Sequence, residues 1–206
     1  YAIDFDKYMS DISKDFDGFY QRYSDDFILV LNIEKLIDKY GEDYVEKVNE
    51  IIEDLSKTNR IYLQLEKIKT YFIKDKIVIN NNDKVCQIDY LGFSFDGKNV
   101  KIREKSIYKF YRNARKLIYD SKVIQKRKGL AKLPNRHKIY SLYTDFGRSK
   151  YYPSNFISYA KRAQHIFNKI SPNTNNLMLA QLKNRKKKIE SALGYRIHSR
   201  IEKSNK

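Results

Sequence analysis

Two carboxylates stand side by side in Tyr23-Ser24-Asp25-Asp26, directly before the apolar stretch Phe27-Ile28-Leu29-Val30-Leu31. Mg²⁺ prefers hard oxygen ligands, keeps several waters and is commonly held by one or two carboxylates together with substrate phosphates. Two such ions about 3.5 to 4 Å apart can activate an attacking 3′-hydroxyl and stabilise the pyrophosphate leaving group of an in-line displacement. Asp25 and Asp26 would supply part of that site. Taken alone, the string is also what an ordinary acidic turn requires, because aspartates sit easily in turns. A second group with chemical meaning is Lys105, Lys109, Arg112 and Lys116, whose spacing of i, i+4, i+7 and i+11 aligns four cations on one helical face. Such a ridge suits the phosphates of a nucleic acid, positioning the strand without reading its sequence. The three histidines, His137, His165 and His198, are scattered and have no cysteine near them, which argues against zinc. Cys86 reads as a small apolar filler of a strand, and the seven glycines form no phosphate loop.

The elements that must position these groups follow from periodicity. Ile3, Phe5, Tyr8, Met9, Ile12, Phe16 and Phe19 recur at threes and fours, which predicts an amphipathic helix over residues 1–19. A short strand from Tyr20, the polar step Ser24-Asp25-Asp26 and the strand 27–31 predict a β-hairpin with the two carboxylates at its tip. Tyr44, Val45, Val48, Ile51, Ile52 and Leu55 predict a helix over 41–55. Short strands are then expected at 61–65, 70–73, 76–79, 85–95 and 100–103, with Asp96-Gly97 as a two-residue hairpin turn. After Arg103 the pattern turns helical: 106–120, Pro134 to Tyr143, 156–170, and 176–200 with Gly194 as a candidate break. A basic, glycine-containing loop is expected over 122–132. The fold class is α+β: antiparallel strands with helices, then an all-helical region, divided at 103/104.

The 206 residues are 41% apolar and 14% aromatic, enough to bury a core, and the 33% charge falls short of a disordered polyelectrolyte. No apolar run approaches the roughly 20 residues that cross a bilayer, so no membrane partner is expected. A single cysteine suggests a reducing compartment, and the expectation is a cytoplasmic protein. The chain opens at Tyr1, as a piece of a longer protein would. Charge divides sharply: residues 1–100 hold 14 Lys+Arg against 20 Asp+Glu, whereas residues 101–206 hold 28 against 5. A basic half of that kind points to a polyanion, because each cation that neutralises a phosphate releases counterions. Tyr108, Tyr111, Tyr119, Tyr140, Tyr143, Tyr151, Tyr152 and Tyr159 lie among these cations. They read chiefly as core residues with a hydroxyl at the rim, with base stacking as the alternative.

Read in order, Tyr23-Ser24-Asp25-Asp26, the apolar strand, a helix, Leu65-Glu66-Lys67-Ile68-Lys69-Thr70, then Tyr90-Leu91-Gly92-Phe93-Ser94-Phe95 and a basic helical region resemble the second half of a reverse transcriptase. In that family the Y-x-D-D hairpin is motif C, a lysine-bearing segment is motif D, an L-G-F hairpin is the primer grip of motif E, and a helical thumb follows. The resemblance covers roughly residues 1–120 by motif and the remainder by architecture, and among branches it is closest to bacterial abortive-infection and other defence-associated enzymes. It implies residues 1–103 as the C-terminal part of a palm and 104–206 as a basic thumb. Asp25 would be the metal ligand proper, with Asp26 as a supporting carboxylate. Tyr23 would lie under the primer terminus or incoming nucleotide, and Lys69 would assist the departing pyrophosphate. Leu91, Gly92 and Phe93 would grip the primer. The implied cofactor is a pair of Mg²⁺ ions, and the implied partners are a template of RNA or DNA, a primer and deoxynucleoside triphosphates.

Two departures qualify the pattern. Motifs A and B are absent, since Asp4 and Asp6 lie too close to Asp25 to leave room for motif B, so the further metal-binding aspartate would come from an N-terminal part outside this chain. The expectation is that this chain alone has no polymerase activity. In motif D, Glu66 stands where a polar amide is usual. An RNA-directed RNA polymerase, whose hairpin more often begins Gly-Asp-Asp, and a non-catalytic nucleic-acid-binding module are the alternative readings.

Overall fold

The computed structural model describes residues 2–143, 155–170 and 176–196. Its elements confirm a mixed α+β chain built from helices and small antiparallel sheets. It divides into two compact units, Tyr1–Thr70 and Tyr71–Lys206. Among the described residues no helix is long and apolar enough to cross a membrane.

The first unit begins with α1 (Ile3–Asp15), which buries Phe5 and Met9. The helix stops short of the expected residue 19 because Asp17 turns into the left-handed region at φ 46° and Gly18 closes the chain against the next strands. A Cβ on Gly18 would lie 2.0 Å from the Val30 carbonyl oxygen, so only glycine fits that approach. Phe19 therefore opens β1 (Phe19–Tyr23), which pairs antiparallel with β2 (Asp26–Val30) in the register Tyr20↔Leu29 and Tyr23↔Asp26. A short helix absent from the sequence expectation, α2 (Ile33–Tyr40), follows at once, capped by Asn32, whose side-chain oxygen accepts from Glu34 N–H at 2.9 Å. Next comes α3 (Tyr44–Thr58), which closes the core with Ile52. Tyr20, Phe27, Leu29, Val48, Leu55 and Ile68 pack against Phe5, Met9 and Ile52. Residues 61–65 form no strand. Ile61 and Leu63 alternate inward with Tyr62 and Gln64 outward, the period of a strand, but the segment has no ladder partner among the described residues and ends in a 3₁₀ turn at Leu65–Lys67.

The second unit opens with the hairpin of β3 (Tyr71–Lys74) and β4 (Ile77–Asn80). The run expected as one strand over 85–95 is two: β5 (Ile88–Tyr90) and β6 (Phe93–Phe95) join through Leu91 at φ 46° and Gly92 at φ 85°. Two positive φ values in a two-residue loop are the requirement of a type I′ turn, and glycine at the second place meets it without a steric penalty. β6 pairs onward with β7 (Val100–Ile102) across a four-residue connection, 96–99, longer than the turn expected at Asp96-Gly97. Lys98 N–H and Asn99 N–H both donate to Asp96 Oδ1, which builds an Asx-type turn of that length.

Among the described residues four helices complete the unit: α4 (Glu104–Lys128), α5 (Arg136–Tyr143), α6 (Phe156–Ile170) and α7 (Leu177–Leu193). α4 runs through most of the basic stretch expected as a loop and ends at Gly129, because the residues from Lys122 to Lys128 are mostly good helix formers. α7 stops at Gly194, and the end expected at residue 200 lies outside the described residues. The core holds Ile102, Ile107, Phe110, Ala114, Ile118, Ile139, Ala160, Met178 and Leu182. Buried polar groups are paired across it: Met178 N–H donates to Gln164 Oε1 at 2.9 Å, and Tyr111 O–H to the Leu182 carbonyl at 3.1 Å. Gln181 donates from Nε2 to the Ile102 carbonyl at 2.8 Å and accepts from Ile102 N–H at 3.1 Å, so a side-chain amide bonds the outer edge of β7 as a neighbouring strand would. Phe93, Val100 and Ile102 all join this helical core, which is why the compact boundary falls at 70/71 instead of the expected 103/104.

Candidate functional site

The hairpin tip is built from both sides of a two-residue turn. Tyr23 and Asp26 face each other as the last pair of the ladder, leaving Ser24 and Asp25 as the loop. Ser24 adopts φ 55° and Asp25 does not share the positive sign, the φ pattern of a type II′ turn, in which glycine is the favoured first residue. A serine there carries backbone strain of the kind that clusters at functional turns. Tyr23 is 66% exposed, and Asp25 and Asp26 are exposed too. Among the described residues the hydrogen bonding of the two carboxylates is slight: a long bond from Ser24 Oγ to Asp25 Oδ1 at 3.4 Å. Neither aspartate has a basic partner among those residues.

Asp6, Tyr20 and Arg22, none of them expected among the site residues, hold the tip in place. Arg22 donates from Nε and Nη2 to Asp6 Oδ1 and Oδ2 of α1 at 2.7 and 2.6 Å, and from Nη1 to the Ser24 carbonyl at 2.8 Å. Tyr20 O–H donates to the same Asp6 Oδ1 at 2.7 Å. One guanidinium thus ties the first helix to the strained turn, using the bidentate geometry in which arginine meets a carboxylate. The Arg22 fork holds the Asp6 carboxyl below its ordinary value, while burial and then Asp6 push the Tyr20 hydroxyl up. A partial signal was available in the sequence: Tyr20 and Arg22 share one face of a strand, and the helix before it carries Asp4, Asp6, Asp11 and Asp15, with nothing local to single out Asp6.

Lys69 is exposed, and it directly follows Ile68, which packs on the same Phe5, Met9 and Ile52 cluster as Phe27 and Leu29 of the hairpin. One core therefore seats both the lysine segment and the strands behind the carboxylates. As cation ligands, Asp25 and Asp26 have the right chemistry for Mg²⁺, two hard and uncompensated carboxylates open to solvent. Among the described residues no three of His, Cys, Asp and Glu gather in one place.

The other expected residues lie in the second unit. Leu91 is exposed at the tip of the β5–β6 hairpin, whereas the Phe93 ring packs inward, 5.1 Å from Phe167 and 6.2 Å from Tyr159. The Gly92 carbonyl accepts from Arg103 N–H at 3.0 Å, and Arg103 is the residue that precedes α4. The Leu91-Gly92 turn and the start of the basic helix are in this way bonded together. Lys105, Lys109, Arg112 and Lys116 are all exposed along α4, opposite the buried Ile107, Phe110, Ala114 and Ile118. None of the four has a carboxylate partner among the described residues. Tyr108 and Tyr119 stand beside the ridge, 61% and 69% exposed, whereas Tyr111 is buried and Tyr140 and Tyr143 pack on the core. Tyr159 is 36% exposed and neighbours Phe93, and Tyr151 and Tyr152 lie outside the described residues. The ridge thus sets exposed rings, with faces free to stack, beside cations that lack a carboxylate partner among the described residues.

Neither the protein-family models nor the curated proteins compared with this chain give a match.

Proposed function

We propose that this chain is the C-terminal part of the palm and the thumb of an RNA-directed DNA polymerase, which in the intact protein extends a primer 3′ end with deoxynucleotides. The observation that carries the reading is an exposed, uncompensated carboxylate pair on a braced hairpin tip, in a chain that also presents an unpaired cationic helix face. In the reaction the primer 3′-oxygen attacks the α-phosphorus of the incoming triphosphate, and pyrophosphate leaves. Bound Mg²⁺ would supply charge neutralisation and a more acidic 3′-hydroxyl, held by Asp25 and Asp26 with a further aspartate from outside this chain. Lys69 offers its ammonium to the leaving pyrophosphate. Tyr23 supports the primer terminus, Leu91, Gly92 and Phe93 form the grip, and the α4 ridge takes backbone phosphates. The biological setting that accompanies this reading is antiviral defence of the abortive-infection type, in the cytoplasm.

The test is incorporation of deoxynucleotides by the intact parent protein. Asp25→Asn should abolish it, and retained synthesis would overturn the assignment. A second reading, a nucleic-acid-binding module without catalysis, is favoured by the small carboxylate set among the described residues. It predicts binding that is indifferent to Mg²⁺ with the upstream part restored, whereas the polymerase reading predicts Mg²⁺-dependent capture of a matched nucleotide.

A further inference from the structure

At 100° per residue, Lys122 and Gln125 lie well round α4 from the cationic ridge. There a cavity of about 370 Å³ opens between the end of α4, the connection into α5 and the end of α7. Among the described residues, three cations line it, Lys122, Lys132 and Arg136, together with the apolar surfaces of Leu133, Leu193 and Tyr195, and no carboxylate does. The connection that carries Lys132 is pinned. Leu130 N–H donates to the Gln125 carbonyl at 3.0 Å, Asn135 Nδ2 to Ser121 Oγ at 3.3 Å, and Leu133 packs on the helical core. Arg136 lies over the Tyr140 ring at 5.6 Å.

A cleft lined by one sign of charge over an apolar wall focuses its field into the opening and raises the local concentration of counter-ions. A guanidinium beside two ammoniums matches the oxygens of a phosphate, and its flat fork allows two parallel bonds. The apolar half suits a planar base or a sugar, and the volume lies within the range of small-molecule sites. We infer that this cavity binds the phosphomonoester end of a nucleotide, with the phosphate on Lys122, Lys132 and Arg136 and the base or sugar against Leu133, Leu193 and Tyr195. The ligand has two sources of the same chemistry, a free nucleoside 5′-monophosphate or the 5′-phosphorylated end of a strand. The inference goes beyond the polymerase reading and does not rest on it, since it needs neither a metal nor catalysis.

The 206-residue chain should be titrated calorimetrically with a nucleoside 5′-monophosphate, with the parent nucleoside, and with one short oligonucleotide carrying either a 5′-phosphate or a 5′-hydroxyl. The monophosphate should bind and the nucleoside should not. Combined Lys122→Glu and Lys132→Glu should weaken monophosphate binding tenfold or more, while Lys109→Glu with Arg112→Glu on the ridge should leave it unchanged. Preference for the 5′-phosphorylated oligonucleotide over its hydroxyl form would identify the strand end as the ligand, and its absence alongside monophosphate binding would identify the free nucleotide. The inference is overturned if neither phosphorylated compound binds through its phosphate at millimolar concentration. It is equally overturned if the lysine pair variant keeps full affinity or the ridge variant loses as much. Should the lysine variant fail to fold, amide shifts in the unaltered chain decide: changes centred on Leu133, Leu193 and Tyr195 support the site, and changes centred on 105–116 overturn it.

Discussion

Asp6 receives three hydrogen bonds, two from the Arg22 fork and one from Tyr20, although it sits on the first turns of an otherwise acidic helix surface. Its carboxyl is held below the ordinary value, so its contribution to stability is complete above the unfolded-state value near pH 4 and disappears as the pH falls through the lower folded value. Acid unfolding followed by circular dichroism should therefore show a component below pH 4 that is absent in Asp6→Asn. Arg22→Ala should cost about 1 to 2 kcal/mol in urea unfolding, toward the lower end for charge-assisted bonds because both side chains remain about a third exposed. The same change releases the Ser24 carbonyl, and incorporation by the intact protein should fall while nucleic-acid affinity stays, a split that loss of folding would not produce. Ser24→Gly acts in the other direction. It relieves a left-handed residue that costs about 1 to 2 kcal/mol while adding roughly 0.5 to 1 kcal/mol of backbone entropy, so a net gain near 0.5 kcal/mol is expected in the same assay.

Between α1 and β1 the chain reverses at Gly18, whose missing side chain lets the backbone pass against Val30. Gly18→Ala should lower stability by about 2 to 3 kcal/mol, read as a drop in thermal midpoint, because the obstructing atom is backbone and has little room to yield. Periodicity made the long elements legible in the sequence: the apolar stripe Phe5, Met9 and Ile12 on α1, the hairpin around Asp25, and the three-and-four spacing of Ile107, Phe110, Tyr111, Ala114 and Ile118 on α4. What it missed had a local cause. The eight-residue α2 is too short for a stripe to stand out, and its start is written in one cap, Asn32. Residues 61–64 alternate as a strand does, but pairing depends on a partner strand, which no local pattern contains. At the candidate site the chemistry-bearing residues were legible as types, whereas the Asp6, Tyr20 and Arg22 tie joins two elements and shows only when they are packed. The cavity beside Tyr195 assembles residues from 122 to 195 and has no sequence signature at all.

The charge asymmetry acts on the scale of the whole molecule. Residues 101–206 carry the excess of cations, and the unpaired set on α4 is where it is most ordered. Replacing Lys105, Lys109, Arg112 and Lys116 together by alanine should weaken duplex binding without changing sequence preference. The slope of log affinity against log salt should become shallower by about 0.9 for each phosphate that is no longer neutralised, roughly 3 to 4 in all if each residue meets one phosphate. Fluorescence anisotropy at several salt concentrations measures both quantities, and an unchanged slope would place the binding surface elsewhere. A last consequence concerns encounters between molecules. Short sheets with open borders invite strand addition by a neighbouring chain, a route to aggregates that natural proteins block by design. Here the amide of Gln181 already occupies the hydrogen-bonding groups of Ile102 on the outermost ribbon, so that border is blocked at this residue from within.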